Sequence, residues 1–304
     1  DVITLDVEMP RMDGIEFLKR LMPQYPLPVI MVSSMTSDNA QVTLDALDAG
    51  AVDFVLKPSM NISQGLNEMM KELIEKIKTA STVDVSQLIK TKEKRNPINA
   101  NKAKNILVGS TDKIIAIGAS TGGTVAITKI LENYPANMPG TVIVQHMPAG
   151  FTKRFAGTLN QKLKIDVKEA EDGDRIISGR VLIAPGDFHM AVTRSGGQYI
   201  VKCKKGEKIN GHCPSVDVLF SSVAKNVASN AIGILLTGMG KDGAYGLLDM
   251  KKSGSKTIIQ DEKTSVVFGM PKEAYKLKAA EHLTPIDEIV DKALNYIKEI
   301  KNLN

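Results

Sequence analysis

Three stretches of this chain run from apolar, β-branched residues straight into a glycine-flanked turn: KIIAIGASTGG over 113–123, TVIVQHMP over 141–148 and AIGILLTGMGKDG over 231–243. No other feature narrows the fold as much. Short apolar runs bounded by turn residues are the pattern of strands buried on both faces, as in a parallel sheet covered by helices. If the three runs are neighbouring parallel strands, Ser120, His146 and Asp242 emerge together at the carboxyl edge of one sheet, where open α/β folds bind ligands. A serine, an imidazole and a carboxylate at one edge are the parts of a nucleophile, its base and the group that orients the base.

The N-terminal part alternates strand and helix patterns in the same way. ITLDV, PVIMVSS and DFVLKP read as strands, and DGIEFLKRLMPQ, SDNAQVTLDALDAGA and SQGLNEMMKELIEKIKTA as helices. From about Ser81 the periodicity fades, and SQLIKTKEKRNPINANKAK offers basic side chains, Asn and Pro but little to bury, the composition of a linker, with a short helix expected near 85–89. Strand patterns resume with KIIAIG and continue through TVIVQH, RVLIAPG, QYIVKC, AIGILLTG and KTIIQ, with helices after Gly122, Phe151, Ser215, Gly243 and Met270. The expected organisation is an α/β domain over 1–80, a linker over 81–112 and a larger, doubly wound, mostly parallel α/β domain over 113–304.

At 304 residues the length suits two domains, and 43% hydrophobic with 24% charged residues is the balance of a water-soluble globular protein. There is no apolar run of bilayer length, and DVITLDVEMP carries no signal-peptide pattern, so no membrane insertion and a cytoplasmic location are expected. Two cysteines cannot form a disulfide framework. A net charge of +5 without tryptophan and with few aromatics argues against nucleic acid as a partner.

Gly118-Ala119-Ser120-Thr121-Gly122 fits G-x-S-x-G, the turn that exposes a serine between strand and helix, with unpaired helix N–H groups ready for a developing anion. The five residues alone are a weak signal, since a serine there is commonly a helix N-cap. Four histidines are present. His282 lies in a polar segment with no strand before it, and His212 lies in the loop NGHCP. His189 follows the strand-like RVLIAPG and remains a rival, while His146, directly after TVIVQ, is the preferred base. Asp242 could orient the imidazole, although the commoner fate of an aspartate there is a helix N-cap. The order Ser, His, Asp departs from the Ser, Asp, His order of α/β-hydrolases.

In the first domain Asp6, Ser33 and Lys57 fall at the ends of three strands, supplying a carboxylate nucleophile, a hydroxyl and a cation, as acceptance of a phosphoryl group requires. This arrangement resembles the response-regulator receiver domain. The resemblance implies Asp6 as phosphoacceptor, Ser33 as the hydroxyl that contacts phosphate, Phe54 as an aromatic switch, Lys57 as the phosphate-pairing lysine, and a Mg²⁺ bound by Asp6 and the Glu8 backbone carbonyl. A receiver normally begins with a strand, a helix and a second strand, the first strand ending in an acidic pair. Residue 1 here already lies in the strand of Asp6, so the sequence is read as truncated, with the Mg²⁺ site incomplete and phosphorylation of this polypeptide not expected.

GASTGG, VIVQHMP, VLIAPGDFHM, PSVDVLF, LLTGMGKDGA and QDEKTSVVFGMPKEA, in this order over about residues 113–300, resemble the catalytic domain of the chemotaxis protein-glutamate methylesterase (CheB) family. The resemblance implies Ser120 as nucleophile, His146 as general base, Asp242 as its partner, the Met239 N–H as oxyanion donor and Thr121 as a supporting residue. It also implies demethylation of glutamate γ-methyl esters on chemoreceptors, with deamidation of receptor glutamines. The implied partners are methyl-accepting chemoreceptors as substrate and a chemotaxis histidine kinase as phosphodonor. The esterase itself needs no cofactor, and a monomer is expected. Two other readings compete: a catalytically silent adaptor, against which the complete triad argues, and a dinucleotide-binding domain, which GASTGG fails for lack of G-x-G-x-x-G spacing.

Overall fold

The computed structural model describes residues 1–34, 37–58, 62–85, 112–280 and 282–302. The chain divides into two compact units, 1–95 and 96–304, a boundary that falls inside the expected linker. Most of that linker, including the short helix expected at 85–89 beyond Val85, lies outside the described residues.

In the first unit β1 (Ile3–Asp6), β2 (Val29–Ser33) and β3 (Asp53–Leu56) form a parallel sheet in the order β1-β2-β3. Val29, Ile30 and Met31 are fully buried in the central strand, which is why PVIMVS is an apolar run and not an alternating one. The strands are joined by α1 (Gly14–Gln24) and α2 (Ser37–Ala49), and α3 (Ile62–Ala80) follows β3. Asp13 caps α1 by accepting the Glu16 N–H at 2.6 Å, and the helix buries Gly14, Leu18 and Met22, one stripe at a spacing of four.

The second unit is built on seven parallel strands: β4 (Ile114–Ala119), β5 (Gly140–Gln145), β6 (Asp166–Glu169), β7 (Arg180–Ile183), β10 (Ala231–Leu235), β11 (Lys256–Gln260) and β12 (Leu283–Thr284). Their order is β12-β11-β10-β4-β5-β7-β6. Between β7 and β10 lies an antiparallel hairpin of β8 (Phe188–Ser195) and β9 (Gln198–Lys205). The helices are α4 (Gly123–Glu132), α5 (Phe151–Lys162), α6 (Val216–Asn226), α7 (Ala244–Lys252), α8 (Met270–Lys276) and α9 (Ile289–Asn302). One hydrophobic core joins sheet, hairpin and helices, with Val142 and Leu182 from the sheet, Met190 and Val201 from the hairpin, Phe220 from α6 and Leu247 from α7.

Strands β6, β8 and β12 and helix α9 are additions to the elements expected from sequence. β6 buries one of its four residues fully, Val167, and β12 is two residues long, so neither carries an apolar run. β8 buries Met190 and Val192 alternately, the period-two signature of a strand with one face out. Both cysteines are free thiols, and burial, aided by the negative charge of Asp172, pushes that of Cys203 up to about 12.

Candidate active site

The chain enters the large sheet at β4, moves outward through β5 to β7 and β6, and returns to lay β10 on the other side of β4. The order therefore reverses at β4, which makes its carboxyl end the ligand crevice of a doubly wound sheet. The register continues past the strand ends: Leu236 N–H bonds Gly118 O at 2.9 Å, Ser120 N–H bonds Thr237 O at 3.0 Å, and His146 N–H bonds Ala119 O at 3.1 Å. Ser120 and His146 are thus the first residues beyond two paired strands, and Asp242 comes from the loop after the third.

Ser120 opens a tight turn into α4. Its carbonyl accepts the Gly123 N–H at 2.7 Å, and Gly122 caps the helix at φ +75°. A Cβ at position 122 would lie 2.5 Å from the Val266 side chain, so both backbone angle and space call for glycine. The Gln145 amide donates to the carbonyls of Ser120 at 2.9 Å and His146 at 3.2 Å, tying the two strand ends together.

His146 and Asp242 are paired, Nε2 to Oδ2, at 2.8 Å, with their side chains 6% and 1% exposed. Asp242 also accepts from Ser215 Oγ at 2.8 Å, Asn210 Nδ2 at 2.9 Å, Val216 N–H at 2.6 Å and Asp217 N–H at 3.3 Å. The last two are first-turn N–H groups of α6, the end that favours negative charge. Burial alone would raise the carboxyl, but the His146 hydrogen bond and charge, with the Asn210 and Val216 donors, outweigh it and hold Asp242 well below the usual carboxylate range. An ionised carboxylate at Nε2 keeps the imidazole proton there, which leaves the lone pair on Nδ1. Nδ1 is buried without a hydrogen-bond partner, so its bond to a Ser120 hydroxyl is not made in this state. Bonds of this kind often tighten only when substrate is present.

Thr121 is buried and its carbonyl accepts Thr237 Oγ1 at 2.9 Å. Met239 is half-buried and follows Gly238, whose carbonyl accepts N–H groups of Gly269 at 3.1 Å and Met270 at 2.8 Å, pinning the loop beside Ser120. His189, the rival base, stands elsewhere with both ring nitrogens engaged, Nδ1 by Ser215 N–H at 3.2 Å and Nε2 with Glu207 O at 2.8 Å. His189→Ala is therefore expected to retain substantial turnover, far above that of a triad variant, since His189 is not among the reacting groups. A loss as deep as that of a triad variant, measured as ester hydrolysis, would return His189 to the role of base.

Four contributors escape the sequence reading: His212, Asn210, Ser215 and Gln145. The His212 ring stacks on that of His146, centroids 3.7 Å apart and planes 11° from parallel. Asn210 and His212 sit in a polar loop whose pattern signals only an Asn-Gly turn. Ser215 could have been found as the N-cap of PSVDVLF, which it is.

In the first unit the structure brings Asp6 and Lys57 together, Oδ2 to Nζ, at 2.6 Å, both side chains more than a third exposed. The Glu8 N–H donates to Asp6 Oδ1 at 3.1 Å, and the Glu8 side chain accepts from Asn39 at 3.0 Å. Ser33 is fully buried, with its hydroxyl accepting from Thr43 at 2.9 Å and donating to Ser34 O at 3.3 Å, so in this state it is turned to α2. Phe54 is buried, with the Lys76 ammonium 5.4 Å from its ring centre. For Mg²⁺ the expected donors are one carboxylate, Asp6, and the Glu8 carbonyl, and Lys57 already neutralises that carboxylate. Among the described residues no three His, Cys, Asp or Glu side chains are grouped to hold a metal ion. Mg²⁺ commonly takes one or two carboxylates and fills its remaining positions with water and phosphate oxygens, and Asp6 with the Glu8 carbonyl would supply one carboxylate and one carbonyl toward it.

Comparison with known proteins matches residues 115–293 to the CheB methylesterase family and residues 1–71 to the response regulator receiver domain. The chain is 57% identical over 302 residues to the protein-glutamate methylesterase/protein-glutamine glutaminase of Syntrophotalea carbinolica, covering 98% of this chain and 85% of that one. It is 56% identical over 303 residues to the protein of the same name from Sulfurimonas denitrificans, covering 99% and 86%. Among solved structures, the Thermotoga maritima CheB methylesterase catalytic domain matches with a TM-score of 0.59 and 42% identity over 60% of this chain and 97% of that one. A seven-stranded sheet with the Ser120 turn and the His146–Asp242 pair at its switch point, preceded by a receiver-like sheet, agrees with these matches, and the chain belongs to the CheB methylesterase family, with a receiver domain at its N-terminal side.

Proposed function

We propose that this chain is a serine hydrolase that removes the methyl group from glutamate γ-methyl esters on chemoreceptors. The reading is carried by the buried His146–Asp242 pair, adjacent through β4–β5 pairing to a serine on a glycine turn. In the proposed reaction Ser120 Oγ attacks the ester carbonyl carbon while His146 Nδ1 takes its proton. The imidazolium is stabilised by Asp242, and the tetrahedral oxyanion meets the Met239 N–H and the amino end of α4, with Thr121 supporting the turn. Collapse expels methanol, which takes the proton from His146, and leaves a glutamyl ester on Ser120. Water, deprotonated by His146, then releases the glutamate carboxylate and restores the serine. The same steps on a glutamine side chain release ammonia, in keeping with the double name of the relatives. Methanol release from methylated receptor, compared between the parent and Ser120→Ala, tests the reading.

The same proposal gives the first unit the role of a phosphorylation-controlled cover, with Asp6 as acceptor of a phosphoryl group from a histidine kinase. Its supports are the receiver match over 1–71 and the Asp6–Lys57 pair. Removing everything before Thr111 is expected to raise basal methanol release, and Asp6→Ala to prevent stimulation by a small phosphodonor. Unchanged turnover after the deletion would overturn the covering role. A cytoplasmic setting belongs to the same proposal; among the described residues no helix is long and apolar enough to cross a membrane.

A further inference from the structure

The segment from Lys204 to Cys213 connects the end of β9 to the turn before α6, and residues 204–211 are exposed along their whole length. Such a strap has little core of its own, yet it is fixed at three points. Ile209 and His212 exchange backbone hydrogen bonds at 3.0 Å each, closing a small loop in which Asn210 and Gly211 adopt positive φ, 53° and 85°. His189 holds both ends, with Nε2 at Glu207 O and Nδ1 receiving Ser215 N–H. The third point is the catalytic pair. The Asn210 amide donates to Asp242 at 2.9 Å and to Asp217 at 2.8 Å, while His212 lies flat on His146.

These contacts act on the parts of the His146–Asp242 pair that the rest of the sheet leaves free to move. The pair is joined by a single Nε2–Oδ2 bond, about which the imidazole can tilt. A ring stacked at van der Waals distance on one face opposes that tilt and keeps Nδ1 aimed. Asn210 carries no charge and stands between two carboxylates, Asp242 and Asp217. Its amide hydrogens satisfy both, and the Asp217 carboxylate is further held by the Gly246 N–H at 2.7 Å. The strap thus fixes the base from the ring face and its carboxylate from the far oxygen.

We infer that the 204–213 strap is a positioning element of the esterase, with His212 and Asn210 holding the His146–Asp242 pair in its reactive geometry without touching the ester. The inference rests on the reading of His146 as base and deepens it. The contact His212 makes with His146 is through the flat face of its ring, so an aromatic hydrocarbon ring is expected to replace it.

The test uses the whole 304-residue chain with His212→Ala, His212→Phe and Asn210→Leu, each checked for parental thermal unfolding, in a methanol-release assay on methylated receptor. Misplacing a reacting group by about an ångström costs up to about a hundredfold in rate, so His212→Ala and Asn210→Leu are expected to lose about tenfold to a hundredfold in kcat with KM changed less than about threefold. His212→Phe is expected to recover most of the loss. Full activity in His212→Ala, or a loss carried entirely by KM, would overturn the inference. Failure of phenylalanine to rescue a folded protein would also overturn it, because the imidazole would then be acting through its nitrogens. Ser120→Ala and His146→Ala run alongside as controls: if they stay active, the reading of the site itself has failed, whereas inactive controls with unaffected strap variants remove the positioning role alone.

Discussion

Ser120→Ala is expected to lower methanol release by roughly 10⁴- to 10⁶-fold while leaving the fold intact. The two halves of this expectation have separate causes. The backbone of Ser120 keeps its place through its N–H to Thr237 O and its carbonyl, which accepts from Gly123 and Gln145, and none of these bonds involves the hydroxyl. Thermal unfolding of the variant should therefore match that of the parent. The hydroxyl, in contrast, is the atom that forms the bond to the ester carbonyl, and no neighbouring group can replace it. His146→Ala is expected to be nearly as inactive, because members of such a triad act as a unit and removing either forfeits most of the covalent route. Measurable turnover above about a hundredth of the parental kcat in folded Ser120→Ala would remove serine catalysis from this site.

The triad candidates were legible because each lies directly after a strand that is apolar along its length, and the parallel pairing of β4 with β5 and β10 turns that sequence position into spatial proximity. Asp6 and Lys57 were legible for the same reason, at the ends of β1 and β3. What surrounds these residues was not. His212 sits in a loop anchored by His189, which bonds Ser215 N–H and Glu207 O, 26 and 18 positions away, contacts that no local pattern encodes. The direction of a hydroxyl is equally invisible: Ser33 ends its strand as expected, yet its side chain bonds Thr43 on the following helix. Edge strands such as β6 escape because an edge needs few apolar residues.

Asp242→Asn is expected to lower kcat by about 10³- to 10⁴-fold, the loss that follows when a triad imidazole takes the wrong tautomer. The structure explains why the amide would orient that way. Oδ1 of Asp242 accepts from three donors, Asn210, Ser215 and Asp217 N–H, so the amide oxygen of the variant is held there. The amide nitrogen then falls at the Oδ2 position, where it meets the Val216 N–H and His146 Nε2. Two facing donors cannot pair, and the amide can bond the imidazole only by donating to Nε2. The ring proton moves to Nδ1, the position from which the serine must be deprotonated, and the base is lost although every heavy atom stays in place. A stability signature accompanies the loss. Asp242 has a carboxyl depressed below its unfolded value, so its contribution is present above the ordinary carboxylate range, near pH 4, and fades as pH falls below it. Asparagine does not titrate. Urea midpoints of parent and variant should therefore differ by a steady amount well above pH 4 and draw progressively closer as pH falls below it; a gap that is constant with pH would show that Asp242 is not held ionised by His146 and its four other donors, and the tautomer argument would fall with it.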